Sequence, residues 1–317
     1  MVGEPLLVLV GPTGVGKTAV AVRMAVSLPI EAVSADSRQV YRRMDIGTGK
    51  PSPEERRRLH HHLIDVVDPG ERYDAARFRR EALEAIADIR ARGRLPMVVG
   101  GTGLYVRALV KGLAPAPPRD PDLRATLEAE RARLGGAALH ARLEALDAPA
   151  AARLHPRDHV RIVRAIEVRL LRAPGAPGAG AVAAGNWSSR SPFRLLMVGL
   201  AQDRARLNER LTARVQAMVA RGMMEEVRAL LQAGHAGTAP GMATIGYRQL
   251  AAAARGAIPI AEAIRLTIRD TTRYAKRQMT WFARDPETRW LDVDAGGGLE
   301  GVAQQIATWV REEGLVA

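Results

Sequence analysis

Short apolar runs alternate with longer amphipathic stretches along most of the chain. Six short runs predict β-strands: Leu6–Val10, Glu31–Ser34, Leu63–Val66, Pro96–Val99, Arg194–Leu200 and Arg289–Val293. Between most of them, stretches such as Ala75–Arg92 repeat apolar residues at helical spacing and predict helices. Strands that alternate with helices favour an α/β fold, in which a parallel sheet is covered by helices on both faces.

The stretch between the fourth and fifth runs contains no clear strand. Helical patterns cover Pro121–Leu134, Ala137–Leu146 and Asp158–Leu171. The segment Ala173–Ala181 consists of Ala, Gly and Pro and is typical of a mobile linker. We therefore predict an α/β core formed by residues 1–114 and 194–317, with a helical subdomain inserted at residues 115–193.

Two long helical patterns follow the fifth run, at Arg204–Leu231 and Ile260–Arg284. In the second, basic residues recur at helical spacing beside the apolar stripe, at Arg265, Arg269, Arg273, Arg277 and Arg284. A solvated helix face and a surface that contacts an RNA backbone both explain this pattern, and the sequence leaves the choice open.

A glycine-rich segment after the first predicted strand fits the pattern G-x-x-x-x-G-K-[ST]. Its residues are Gly11, Pro12, Thr13, Gly14, Val15, Gly16, Lys17 and Thr18. A strand before it and a helix after it form the context in which this motif, the P-loop, binds phosphate. Lys17 reaches the outer phosphate and the Thr18 hydroxyl ligates Mg²⁺, while backbone N–H groups surround the phosphate oxygens. We expect a P-loop NTPase-like sheet that binds a nucleotide or another di- or triphosphate, with Mg²⁺ as cofactor.

The strand ends indicate what lies beside this loop, because ligands of a parallel sheet bind beyond the carboxyl ends of its strands. The second predicted strand leads into Asp36 and Gln39. The fourth leads into Gly100–Tyr105, where a P-loop ATPase would have the aspartate that organises Mg²⁺. Asp36 is interpretable either as a turn residue that accepts backbone N–H groups or as a general base facing the phosphate. The site is therefore predicted to serve something other than routine ATP hydrolysis.

For the other residues that could bind a metal ion, a structural role is the better interpretation. Asp65 and Asp68 could replace the missing aspartate, but the adjacent Pro69 and Gly70 favour a turn. His60–His62 are consecutive, so we do not expect their side chains to converge on one metal ion, and a solvated loop is the better interpretation.

Composition and charge narrow the class of partner. The net charge is +13, and only four of the 47 basic residues are lysine. Codon bias and a polyanionic partner both raise the arginine content, but so large an excess favours a nucleic acid. The absence of cysteine excludes disulfides, Cys-ligated zinc and thiol catalysis. No apolar run approaches the roughly 20 residues that span a bilayer, and no export signal precedes the first strand, so we expect a cytoplasmic protein without a membrane partner.

Eight segments match one known family in order and spacing: Gly11–Thr18, Ser34–Tyr41, Met44–Pro51, His61–Asp65, Val99–Tyr105, Arg161–Val168, Ile245–Arg248 and Arg273–Trp281. On these residues the chain resembles the bacterial tRNA dimethylallyltransferases, also called tRNA isopentenyltransferases, along nearly its full length. The pattern departs from the family after Val168, where Arg169–Gly178 replace the usual Thr-Gly-Lys-Pro-like turn.

The resemblance implies transfer of a dimethylallyl group from dimethylallyl diphosphate to N6 of the adenosine 3′ of the tRNA anticodon (position 37). Asp36 would then be the base that removes the N6 proton, and Thr13 would donate a hydrogen bond near the reacting end of the diphosphate. Lys17, Thr18 with Mg²⁺, and Arg214 would stabilise the leaving diphosphate. This chemistry is sensible, since an exocyclic amine is a poor nucleophile and the departing charge requires fixed cations.

The resemblance also implies a binding surface for the tRNA anticodon stem-loop on a monomeric enzyme, with the target base flipped out of its stack. The implied contacts are Asp36, Ser37, Arg38, Gln39, Thr102, Arg124, Val160, Arg161, Ile162, Val163 and Arg164. Arg248 and Arg273 are further candidates for tRNA contact, Arg273 because of its charge and its place on a helix face.

Two other classes of function stay open at this point. A small-molecule kinase would use the P-loop for ATP, but the missing strand-end aspartate and the arginine excess count against it. A non-catalytic RNA-binding, GTPase-like module ranks last, because the guanine-reading Asn-Lys-x-Asp sequence is absent.

Overall fold

The computed structural model describes residues 3–113, 116–172 and 191–316. The chain divides into two compact units, Met1–Val110 with Ser191–Ala317, and Lys111–Arg190. The predicted linker Ala173–Ala181 lies outside the described residues. A helix that spans a bilayer would need a longer apolar run than any helix of the described part contains.

The larger unit is built on a six-stranded parallel sheet. Its strands are β1 (Glu4–Val10), β2 (Ile30–Ser34), β3 (His61–His62), β4 (Leu95–Gly100), β5 (Phe193–Ala201) and β6 (Thr288–Asp292). Their order is β3-β2-β4-β1-β5-β6. In the central register, Val8 of β1 is paired with Val98 of β4 and with Met197 of β5. The predicted parallel α/β sheet is therefore confirmed, with β1 and its phosphate loop at the centre.

Helices cover this sheet. They are α1 (Lys17–Met24), α2 (Pro53–Arg58), α3 (Ala75–Ala91), α4 (Gly103–Lys111), α9 (Arg204–Ala220), α10 (Met223–Gln232), α11 (Tyr247–Ala254), α12 (Ile260–Phe282) and α13 (Gly298–Glu312). One apolar cluster joins Leu7 and Val198 of the sheet to Val20 of α1 and Ile306 of α13. The central strands are buried on both faces, as expected for a parallel sheet.

Two predicted elements differ from the structure. The third strand comprises only His61–His62, not Leu63–Val66, because Leu63 and Asp65 have positive φ angles of 62° and 61° and leave the extended conformation. The helix predicted at Arg204–Leu231 is two helices, α9 and α10. Gly222 separates them with a φ of 98°, which an L side chain rarely adopts.

The smaller unit is helical, with α5 (Pro121–Leu134), α6 (Gly136–Leu146), α7 (Ala148–Ala151) and α8 (His159–Leu171). Its apolar core contains Leu127, Leu143 and Ile166. The carboxylate of Glu167 is fully buried and accepts hydrogen bonds from Arg124, Arg164 and the backbone N–H of Asp120. Burial by itself would raise the pKa of Glu167. The three hydrogen bonds outweigh this effect and lower the pKa to about 2.

Candidate active site

The phosphate loop leaves the carboxyl end of β1 and enters α1. Gly16 precedes α1 with a φ of 106° and provides no side-chain cap, so the first N–H groups of the helix remain available to an anion. The Lys17 ammonium donates to the carbonyl oxygens of Gly11 and Pro12, both at 2.8 Å. The predicted strand, loop and helix are thus present, and Lys17 bends back over the loop.

A cavity of about 360 Å³ lies against this loop and is called the phosphate cavity below. The cationic residues that line it are Lys17, Lys50, Arg210, Arg214 and Arg221, and Thr18 and Gln39 also line it. Desolvation by the surrounding protein lowers the pKa of Lys17 to about 8; the Asp36 carboxylate opposes this shift, and Arg214 adds to it. Burial likewise lowers the pKa of Arg214, helped by Arg221. Mutually repelling cations favour a multiply charged anion in this cavity.

The sequence interpretation included Arg214 but missed Arg210 and Arg221. The three residues are four and seven positions apart, which places them on one face of a helical pattern. That spacing was the available signal. It was weak, since arginines are frequent throughout the chain.

Asp36 follows β2 and is half-buried. Its Oδ1 accepts the backbone N–H of Arg38 at 2.8 Å, which is the bond of an Asx turn. Asp36 also lines the phosphate cavity and the cavity next to it. The turn bond uses Oδ1 only, so both interpretations of Asp36 are compatible with this geometry.

The adjoining cavity has a volume of about 610 Å³. Thr13, Asp36, Thr48 and Arg214 line both cavities, so the two meet at these residues. One wall of the adjoining cavity is apolar and the rest is polar or basic. The apolar wall contains Val215, Met218, Met223 and Ile245, and the polar lining includes Ser37, Arg38, Thr102, Arg248, Arg273, Tyr274 and Arg277. The arrangement accommodates an anion beside a flat or apolar group.

The glycines at the end of β4 allow α12 to pack closely against them. A Cβ on Gly101 would lie 2.1 Å from Nε2 of Gln278, and one on Gly103 would lie 2.2 Å from the Trp281 ring. Gln278 donates to the Gly101 carbonyl at 2.9 Å and accepts the Thr13 N–H at 2.8 Å. At the strand end where an aspartate is missing, the chain thus makes a contact with a helix. Sequence reasoning missed Gln278 because it is far from Gly101 and Thr13 in the chain.

The predicted tRNA residues fall in both units. In the larger unit, Ser37, Arg38, Thr102, Arg248 and Arg273 line the adjoining cavity, and Gln39 lines the phosphate cavity. In the smaller unit the predicted residues have different environments. Arg124 and Arg164 bond Glu167, Arg161 lies 3.4 Å from Asp158, Val160 is exposed, and Ile162 and Val163 are buried in the core.

The acidic residues near β3 are structural. Asp65 forms ion pairs with Lys50 and with Arg56, the latter at 3.1 Å, and neither Asp65 nor Asp68 lines the phosphate cavity. Asp68 accepts the Glu71 N–H through its carbonyl, which forms the predicted turn.

The arrangement of the histidines differs from the prediction, because the side chains of His60 and His62 converge. The rings of His60 and His62 lie 4.5 Å apart, and ligand atoms of both lie close to the Glu31 carboxylate. Side chains two positions apart point the same way along extended backbone, which explains the difference. The Glu31 carboxylate is occupied by Arg92 at 2.8 Å and Arg94 at 3.5 Å as well as by His62, so it is already neutralised.

Comparisons with known proteins agree with this geometry. The profile of the family described as IPP transferase matches residues 39–285, and that described as isopentenyl transferase matches residues 5–67. The tRNA dimethylallyltransferase of Geobacter metallireducens is 49% identical over 287 residues, covering 90% of this chain and 92% of that protein. The enzyme of the same name from Thermomicrobium roseum is 45% identical over 315 residues, covering 98% and 93%.

Solved structures are similar along almost the whole chain. The tRNA isopentenylpyrophosphate transferase of Bacillus halodurans aligns with a TM-score of 0.71 and 39% identity, covering 98% of this chain and 97% of that one. A eukaryotic dimethylallyltransferase acting on tRNA aligns with a TM-score of 0.76 and 25% identity, covering 97% and 76%.

Proposed function

This chain belongs to the IPP transferase family of tRNA dimethylallyltransferases, and from that premise we propose what each of its two cavities binds. The enzyme is a tRNA prenyl transferase. Dimethylallyl diphosphate is its donor, with the diphosphate in the phosphate cavity and the dimethylallyl group directed into the adjoining cavity. The observation that carries the proposal is that the cavities meet at Thr13, Asp36 and Arg214.

The acceptor is N6 of the adenosine 3′ of the tRNA anticodon, bound in the adjoining cavity. N6 attacks C1 of the dimethylallyl group, the C1–O bond breaks and diphosphate leaves. Asp36 accepts the N6 proton. Its Oδ1 is bonded to a backbone N–H, and Oδ2 is available for that proton.

The leaving diphosphate is stabilised by fixed charge. Lys17 and Arg214 meet its oxygens, and the Thr13 hydroxyl donates near the reacting end. The phosphate cavity also suits Mg²⁺, since the Thr18 hydroxyl lines it beside Lys17 and offers a hard oxygen ligand. Thr18 would hold the ion together with diphosphate oxygens, and the ion would neutralise charge on the leaving group.

Binding of tRNA follows from the basic residues around the adjoining cavity, Arg248, Arg273 and Arg277. They would contact phosphates while the flipped base enters the cavity. Arg38 and Thr102 would border the base, while Gln39 lines the phosphate cavity. A monomeric state and a cytoplasmic location, where the tRNA substrate is found, stay part of the proposal.

The kinase and the non-catalytic RNA-binding module are set aside, because the relatives are prenyl transferases across almost the whole chain.

The test is nucleoside mass spectrometry of unmodified tRNA incubated with the protein, Mg²⁺ and dimethylallyl diphosphate. We expect N6-dimethylallyladenosine at the position 3′ of the anticodon, and none when ATP replaces the allylic donor. If tRNA stayed unmodified in the reaction with the allylic donor, and ATP was consumed in the reaction with ATP, a kinase would be favoured.

A further inference from the structure

Two segments carry the family resemblance but supply no group to the chemical step described so far, Met44–Pro51 and Ile245–Arg248. They meet at one carboxylate, that of Glu226 on α10. Glu226 Oε2 accepts the N–H groups of Asp45 and Ile46, both at 2.9 Å, and Oε1 accepts that of Gly47 at 3.3 Å. Three successive backbone N–H groups thus surround one carboxylate.

Tyr247 completes this arrangement. Its hydroxyl donates to Oε1 of Glu226 and accepts the Gly47 N–H at 3.1 Å, and its side chain is fully buried. Burial raises the pKa of Tyr247 and the Glu226 charge adds to the rise, so the hydroxyl stays a donor. Gly47 fits tightly here, because a Cβ on it would lie 2.5 Å from the Tyr247 ring.

The held segment reaches the phosphate cavity through Thr48, Gly49 and Lys50. The Arg214 guanidinium lies directly on the Gly49 backbone, and a Cβ there would lie 1.8 Å from Nη2. The Gly49 carbonyl also accepts Nε2 of Gln39 at 3.2 Å.

The contact with Gly49 bears on how the Arg214 guanidinium is held. Among the described residues no carboxylate forms an ion pair with Arg214; Arg221 and Arg210 repel it, while the charges of Asp36 and Glu55 attract it. Because no ion pair fixes the guanidinium, the Gly49 backbone against which it packs restricts its position.

We propose that Glu226 is a positioning residue for the diphosphate site, which together with Tyr247 holds Met44–Lys50 so that Gly49 supports the Arg214 guanidinium. The inference rests on the proposed function, because it assumes that Arg214 meets the diphosphate.

The test begins with Glu226→Gln and its matched control Glu225→Gln. Glutamine retains one acceptor oxygen but turns an NH₂ group toward backbone donors, so the segment shifts. Glu225 is in the same helical turn, is exposed, and forms an ion pair with Arg228 at 3.8 Å. Titration of the folded full-length proteins with inorganic diphosphate should show about tenfold weaker binding for Glu226→Gln, the order expected from a small misplacement of a charged group. Glu225→Gln should match the wild type.

A double-mutant cycle separates positioning from general destabilisation. If Glu226 acts through Arg214, Glu226→Gln combined with Arg214→Ala binds diphosphate no more weakly than Arg214→Ala alone. Tyr247→Phe, which keeps the buried ring, should show a smaller loss of the same kind. If Glu226→Gln does not fold, the diphosphate affinity of Tyr247→Phe tests the positioning role instead.

Normal diphosphate affinity in Glu226→Gln, or additive losses in the double mutant, would overturn the proposal. Prenyl transfer to tRNA by the wild type is measured separately, so its failure would count against the proposed function while diphosphate binding still judges the positioning role.

Discussion

At the scale of single residues, burial lowers the pKa of Lys17 and of Arg214, and the charge of the Asp36 carboxylate opposes this lowering at both cations. In the proposed reaction this carboxylate accepts the N6 proton. Its second function, the turn bond to Arg38, needs only an acceptor oxygen. The two functions of one side chain are therefore separable by substitution.

We expect Asp36→Asn to lower prenyl transfer to about a hundredth or less, since an amide keeps the turn bond but cannot take the N6 proton. tRNA affinity should stay within a few-fold. Single-turnover transfer and filter binding measure the two effects, and Asp68→Asn, in a turn outside the cavities, is the control. Residual activity above about a hundredth would exclude Asp36 as the base.

We expect Lys17 to make the binding of diphosphate depend on pH. Its pKa of about 8 in the free protein should rise when the anion binds, so a proton is taken up on binding above pH 8. Affinity for inorganic diphosphate should therefore be highest below pH 8 and decline by up to about tenfold per pH unit above pH 8.

The control for this titration is Lys17→Met, which binds more weakly and lacks that decline. Ionisation of the ligand itself affects both proteins equally. If both proteins showed the same pH dependence, Lys17 would not be the titrating group.

At the scale of elements, α12 joins two strand ends through Gln278, and the glycines after β4 make this contact possible. The sequence predicted a helix at Ile260–Arg284. It did not predict which partner approaches, because the two are 177 positions apart.

Gly101→Ala should destabilise the protein by about 1–3 kcal/mol, because the new methyl group would displace Gln278 and α12. Transfer activity should decline with it, since Gln278 also holds the Thr13 N–H. Urea unfolding measures the stability, and Gly70→Ala, where nothing lies within 4 Å of the added carbon, is the control. Equal midpoints for the two variants would contradict the packing role of Gly101.

At the scale of the whole molecule, several of the arginines are paired with acidic residues. Arg164 is bound to Glu167, Arg161 lies near Asp158, and Arg269 pairs with Asp270 at 2.9 Å. Arg273 and Arg277 are exposed and have no acidic partner within the described residues. These two are the stronger candidates for phosphate contact, and an exposed arginine that is already paired has less to gain from tRNA.

Arg273→Ala should weaken tRNA binding and flatten its dependence on salt by about 0.7 to 0.9 in log–log slope, since one phosphate contact is lost. Binding of inorganic diphosphate should not change. Arg265→Ala is the matched control, because Arg265 lies on the same helix and pairs with Glu262 at 2.6 Å. Filter binding across a salt series gives both slopes, and identical slopes for Arg273→Ala and wild type would assign that arginine to codon bias.

The sequence by itself determined the features encoded by local pattern and spacing. The alternating apolar runs established the parallel sheet, and Gly11–Thr18 between a strand and a helix established the phosphate loop. Local signals were insufficient where one residue changes the backbone, as Leu63 does in β3 and Gly222 does between α9 and α10. Tertiary structure alone decided which remote side chains meet: Gln278 with Thr13, His60 and His62 with Glu31, and Glu226 with Gly47. Such contacts depend on packing between elements far apart in the chain, and the period of a strand or helix does not specify the partner.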